Sequence, residues 1–195
     1  MRPSDCGKMQ GITGFELPKE AEIGGKKYSL HTDFRVILQI FSYLEDPDLP
    51  EFIRWQVALG LFYKQDVAPE HSREAMAYLG WFLTGGNPEG DKPGPKLLDW
   101  EQDAAAIISD VNKTAGQEIR ALPFLHWWTF LSWFHGIGEG QVSALVSIRD
   151  KLQRGKKLEG WEKEFYRQNR DRIQLKKKYS PQELLQRQRL EQLLG

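Results

Sequence analysis

The run Pro123-Phe124-Leu125-His126-Trp127-Trp128-Thr129-Phe130-Leu131-Ser132-Trp133-Phe134-His135-Gly136 constrains the fold more than any other part of the chain. It places three of the chain's seven tryptophans within seven residues and closes on a glycine. Proline suits the first position of a helix, where its missing N–H would have had no partner. Gly136 is a natural stop. At about 100° per residue, Phe124, Trp127, Trp128, Leu131 and Phe134 form one wide apolar stripe, which Leu125, Phe130 and Trp133 extend round most of the helix. A helix apolar nearly all round is buried on several sides. The run therefore predicts a central helix from 123 to 135. Trp127, Trp128, Leu131 and Phe134 are expected in the core, joined by Phe34 from an earlier helix.

The two histidines of this run invite a catalytic interpretation. On one helix they stand nine residues apart and point to roughly opposite sides, so they form neither a dyad nor a shared metal site. Elsewhere, Gly85-x4-Gly90 followed by Lys92 faintly resembles a phosphate-cradling loop. That motif needs Gly-Lys-Ser/Thr entering a helix after a strand, whereas Asp91 and Pro93 flank the lysine here. Asp99, Glu101 and Asp103 fall in the first turn of a helix, where carboxylates complement the dipole. No catalytic residue, cofactor site or metal site is assigned, and the chain is expected not to be an enzyme.

Lys plus Arg and Asp plus Glu balance at 27 each among 195 residues. The distribution is uneven: residues 149–195 hold 14 of the bases and 7 of the acids, leaving 13 and 20 before them. An acidic front and a basic rear favour head-to-tail or partner contacts. Cys6 is the single cysteine, which fits a reducing compartment. No run approaches the ~18 apolar residues of a membrane span, and the first residues lack a leader-type apolar stretch. A cytoplasmic location without membrane contact is expected.

In chain order, residues 1–14 read as a flexible arm. Residues 15–155 read as a helical core, and 156–195 as a basic helical extension. Gly24-Gly25 supplies a tight primed turn, so 22–30 predicts a small β-hairpin that buries Ile23, Tyr28 and Leu30. Helices follow over 34–44, capped by Thr32 or Asp33, over 50–63, and from Pro69 to the Gly85-Gly86 stop. Further helices are expected from Trp100 to Thr114, from Gln141, and over 158–171. Ser180-Pro181-Gln182-Glu183 is a capping box with proline at the first position. It opens a last helix, where Leu184, Leu185, Leu190, Leu193 and Leu194 are expected to form a partner-binding stripe. The fold class is mainly α: a compact multi-helix domain with an N-terminal hairpin and a C-terminal amphipathic extension.

Three blocks carry a resemblance. The first is Glu22-Ile23-Gly24-Gly25 through Tyr28, then Thr32-Asp33-Phe34-Arg35. The second is Asp46-Pro47-Asp48-Leu49-Pro50, with Leu61-Phe62-Tyr63 downstream. The third is Leu98-Asp99-Trp100-Glu101-Gln102-Asp103-Ala104, then Leu125-His126-Trp127-Trp128-Thr129-Phe130. In this order over roughly 20–170 they resemble the tail assembly chaperone family of bacteriophages and prophages of Gram-positive hosts. Its gene lies between those of the major tail protein and the tape-measure protein. Gln102-Asp103 stands where family members usually carry Tyr-Asp, and the C-terminal end is basic where theirs is acidic. The resemblance implies a non-catalytic helper that binds and solubilises the tape-measure protein, self-associates, presents its cargo to the major tail protein, and is absent from the finished virion. Two alternatives stay open. One is a structural tail or neck subunit. The other is a nucleic-acid binder using Lys176-Lys177-Lys178-Tyr179 with Arg167, Arg170, Arg172, Arg187 and Arg189, although those glutamine- and leucine-rich surroundings suit protein contact better.

Overall fold

Two consecutive glycines at positive φ, Gly24 at 58° and Gly25 at 73°, turn the chain back on itself. They join β1 (Glu20–Ile23) to β2 (Lys26–Ser29) with Ala21 opposite Tyr28 and Ile23 opposite Lys26. Ala21, Ile23 and Tyr28, together with Leu30 just beyond β2, are buried. The computed structural model describes residues 16–87, 94–176 and 178–194, and of the helical side chains it leaves out Arg187, Leu193 and Leu194. The arm 1–14 and most of the loop resembling a phosphate cradle lie outside the described residues. The described chain is mainly α. Nine helices follow the hairpin among the described residues: α1 (Phe34–Leu44), α2 (Glu51–Phe62), α3 (Ser72–Leu83), α4 (Ala104–Ala115), α5 (Trp127–His135), α6 (Gln141–Gln153), α7 (Gly160–Gln168), α8 (Arg170–Ile173) and α9 (Pro181–Leu194). None of them is long and apolar enough to cross a membrane.

The described residues fall into two compact units, each built from separated stretches of chain. The first takes 16–44, 51–87 and 124–131. Its core stacks Phe34 on Phe130 with ring centroids 5.0 Å apart and Trp127 on Phe130 at 5.3 Å. Asp33 caps α1, its Oδ1 accepting the Arg35 N–H at 3.0 Å. The predicted start of the central helix is corrected here. Leu125 donates its N–H to Asp33 Oδ2 at 3.0 Å and accepts from Phe34 N–H at 2.9 Å, and Trp127 donates to the Thr32 carbonyl at 2.8 Å. Backbone groups engaged in that extended pairing cannot enter a helical ladder, so α5 begins at Trp127. Pro123 and Phe124 stay outside it, and Phe124 is exposed.

His126 is consequently not on the helix but caps it. Its Nδ1 accepts the Trp128 N–H at 3.1 Å, which leaves the proton on Nε2, 3.0 Å from the Pro18 carbonyl. The two following side chains close a different helix. Trp127 Nε1–H donates to the Leu83 carbonyl at 3.0 Å and Trp128 Nε1–H to the Phe82 carbonyl at 2.9 Å. These are carbonyls of the last turn of α3, beyond its i to i−4 ladder; the Phe82 carbonyl also accepts the Gly85 N–H at 3.1 Å.

The second unit takes 45–50, 94–123 and 132–194. Asp99 caps a turn rather than a helix, its Oδ1 accepting from Glu101 and Gln102 N–H at 3.0 and 2.8 Å. The helix predicted from Trp100 therefore starts at Ala104. Asp103, expected as a first-turn carboxylate, is buried against Arg149: Nη1 and Nη2 reach its two oxygens at 2.6 and 2.9 Å. Arg149 gives its remaining donors to the carbonyls of Leu97, Arg172 and Ile173, so all five N–H groups are used. Asp110 caps α6 by accepting the Val142 N–H at 2.8 Å. The helix predicted over 158–171 breaks at Asn169 into α7 and α8. The capping box holds at α9: Ser180 N–H donates to Glu183 Oε2 at 2.8 Å, and Glu183 N–H to Ser180 Oγ at 3.3 Å.

Of the expected core, Phe34, Trp127 and Leu131 are buried, whereas Trp128 and Phe134 are half-buried. Phe134 lies against Trp100 at 5.1 Å.

Two outcomes follow. Replacing Asp103 with alanine strands a buried guanidinium and lowers unfolding free energy by about 3–5 kcal/mol, measured by chemical denaturation. A loss below about 1 kcal/mol would mean that solvent reaches the pair. Burial holds the His126 imidazole below its usual pKa; the Pro18 carbonyl opposes that shift and Lys19 adds to it. The folded state thus prefers the neutral ring, and its contribution is fully present above the unfolded pKa. It falls away as pH drops below about 6.5. Wild type should lose more stability than His126→Asn between about pH 7.5 and 5.5; parallel curves would remove His126 from that account.

Candidate partner-binding groove

The site is built by two helices that pack side by side and leave one edge uncovered. On α2, Ala58 and Phe62 go fully into the core, Phe62 meeting Phe82 of α3 at 4.9 Å. Trp55 and Leu59 share the general direction of Phe62 but sit nearer the start of α2, where they are half-buried. Phe52, one turn earlier, is 69% exposed. These apolar side chains line one wall of a depression of about 720 Å³, closed by Val67, Pro69 and Met76. A second depression of about 490 Å³ adjoins it, lined by Ala77, Gly80, Trp81 and Thr84, and shares Trp55 and Met76 with the first. Together they make one open, largely apolar groove along α2 and α3.

The polar features of the groove are few. Gln65 is held in place, its Oε1 accepting the Ser29 N–H at 3.0 Å. The Trp55 side chain lines both depressions, and its indole N–H has no hydrogen-bond acceptor among the described residues. Glu51 and Asp66 are the charged residues of the lining, and both are acids. Met76 contributes an unbranched, polarizable side chain shared by both depressions. Gly60 on α2 and Gly80 on α3 lack a side chain facing this space, and a Cβ built at either meets nothing within 4 Å.

The lining offers broad apolar surface with few polar groups. The shape and apolar lining fit a helix laid lengthwise, with anchors three and four residues apart. Among the described residues no group of three or more His, Cys, Asp or Glu could hold a metal ion.

The residues expected to bind a partner lie elsewhere. Leu184, Leu185 and Leu190 on α9 are all exposed, and the side chains of Leu193 and Leu194 lie outside the described residues. At about 100° per residue, Leu185 and Leu190 stand roughly 100° and 240° round from Leu184, so the leucines spread about the helix. The groove itself was missed, because spacing gives the direction of a side chain and not whether a neighbour covers it. The signal that could have found it is a pair of glycines inside helical patterns at 60 and 80.

Residues 15–175 match the family described as Bacteriophage Gp15 protein. The chain belongs to that family. The match takes in the hairpin, both walls of the groove and the Asp103–Arg149 pair, and stops before α9. No curated protein and no solved structure matches the chain. The expected bacteriophage origin therefore stands at the level of this phage protein family.

Mid-helix glycine weakens a helix by roughly 0.5–1 kcal/mol relative to alanine. Gly60→Ala is therefore expected to raise the melting temperature, since the new methyl group meets no neighbour. A fall in scanning calorimetry would mean that the backbone at Gly60 needs glycine for the fold itself.

Proposed function

We propose that this phage protein is a non-catalytic helper of tail assembly that binds the tape-measure protein and keeps it soluble until tail-tube subunits gather on it. The open apolar groove between α2 and α3 carries this reading. A tape measure is a long helical chain whose apolar stripes aggregate if left bare, and a helix-sized groove covers such a stripe. Membership in a phage protein family and the three sequence blocks point the same way. On this reading the protein acts in the host cytoplasm, works in several copies per tape measure, and leaves before the virion is complete.

Nucleic-acid binding is the weaker account of the basic rear. Lys178 pairs with Glu101 at 3.1 Å and Arg167 with Glu164 at 2.8 Å, while Arg149 is buried on Asp103. Basic groups already held by carboxylates have less attraction left for phosphates.

Co-expression with the tape-measure protein of the same phage, followed by affinity capture and light scattering, is the decisive measurement. A soluble complex holding several copies of this chain per tape measure is the expected result. An insoluble tape measure with this chain eluting alone would overturn the proposal. Detection of the chain in purified virions would favour a structural tail or neck subunit instead.

A further inference from the structure

We infer that the α2–α3 groove takes an amphipathic helix whose apolar stripe is flanked by lysine or arginine, seated against the bare backbone at Gly60 and Gly80. The inference rests on the reading of the groove as the partner site, and it specifies the chemistry of the guest.

The glycines supply the first part of the argument. Gly60 and Gly80 both lie inside helices, at φ values any residue adopts, with open space where a Cβ would stand. Neither is required by a turn or by a close neighbour within the chain, although each weakens its helix. Both border the groove, one in each depression. Their common effect is to let an incoming backbone approach more closely than a side chain would allow.

Charge supplies the second part. Glu51 and Asp66 lie in the larger depression, and no basic side chain lines either one among the described residues. Neither carboxylate has an ion-pair partner among the described residues. A guest that brings its own cations beside the apolar stripe satisfies both acids; an acidic guest would face like charge in a partly desolvated space. The chain's own α9 is a poor occupant. It carries Glu183 and Glu191 against Arg187 and Arg189, which leaves no net charge, and its leucines do not share a face. A helix of twelve residues, the length of α2, is about 18 Å long, so the guest segment spans three to four turns.

The test uses the full chain and two synthetic peptides of matched helicity. Both place leucines at i, i+3, i+4 and i+7; one carries lysines beside that stripe and its twin carries glutamates. Calorimetric titration should show the lysine peptide binding at least about tenfold more tightly. Glu51→Lys combined with Asp66→Lys should reverse the preference. Gly60→Leu should abolish binding of the lysine peptide at an unchanged or higher melting temperature, which separates a blocked groove from a damaged fold. Equal affinity for the two peptides would overturn the charge inference. Binding that survives Gly60→Leu would overturn the seat. Self-association of the chain that Gly60→Leu disrupts, with neither peptide bound, would identify the occupant as a second copy and overturn the proposal. The failure of the helper reading is read separately. Gly60→Leu that still solubilises the co-expressed tape measure refutes the groove as its seat while leaving the helper activity in place. A wild-type chain that binds the lysine peptide but leaves the tape measure insoluble refutes the helper activity alone.

Discussion

The first unit hangs on a short pairing between residues 32–34 and 125–127, which lie about ninety positions apart in the chain. The Phe34 and Trp127 amides donate across it, and the Asp33 carboxylate receives Leu125 N–H on one oxygen and Arg35 N–H on the other. One aspartate thus caps α1 and anchors the approach to α5. With Trp127 fixed at the start of its helix, the two adjacent indoles reach the end of α3 and satisfy its last carbonyls. The position of α3, and with it one wall of the groove, therefore depends on contacts made far from the groove. Closing so long a loop costs entropy before its contacts form, so this unit is expected to assemble around the pairing late rather than early.

In the second unit a comparable role falls to a charge. Arg149 is buried on α6 and reaches the 97 loop, α4 and the end of α8 through five N–H groups. A buried ion pair of this kind contributes little net stability over a well-packed apolar replacement, because desolvation offsets the attraction. It contributes geometry. Each donor has one acceptor at a defined angle, so alternative packings of α4 and α8 leave part of the guanidinium unsatisfied.

These two devices mark the boundary of what was legible in the sequence. The hairpin was legible because Gly24-Gly25 admits few conformations, and α9's start because Ser180-x-x-Glu183 has one reciprocal solution. Helix bodies were legible from spacing. The start of α5 was not, since Pro123 is a valid helix opener and nothing local reveals that Leu125 has a partner at Asp33. Asp103 resembled any first-turn acid, because Arg149 stands 46 residues away and no pattern links the two. Trp55, Leu59 and Phe62 recur at helical spacing on one side of α2, yet of the three only Phe62 is fully buried. Periodicity reports which way a side chain points; whether another element waits there is a tertiary fact.

The groove shows why such misjudgements gather where a helix pair leaves an edge uncovered. A stripe that continues past its covering helix has the same sequence signature as one that is covered throughout. The difference appears only as exposed apolar area and as glycines without a structural duty. Both features oppose stability: the area by leaving apolar surface in water, the glycines by loosening their helices. A chain selected for stability alone would fill Gly60 and Gly80 and shorten the stripe. Retaining the open edge makes sense where a guest supplies the missing contacts, and an open-sided groove covers only one face of that guest. On the proposed helper reading, the opposite face stays free for the subunits that assemble next. A closed pocket would hold the guest more tightly and would not permit that succession.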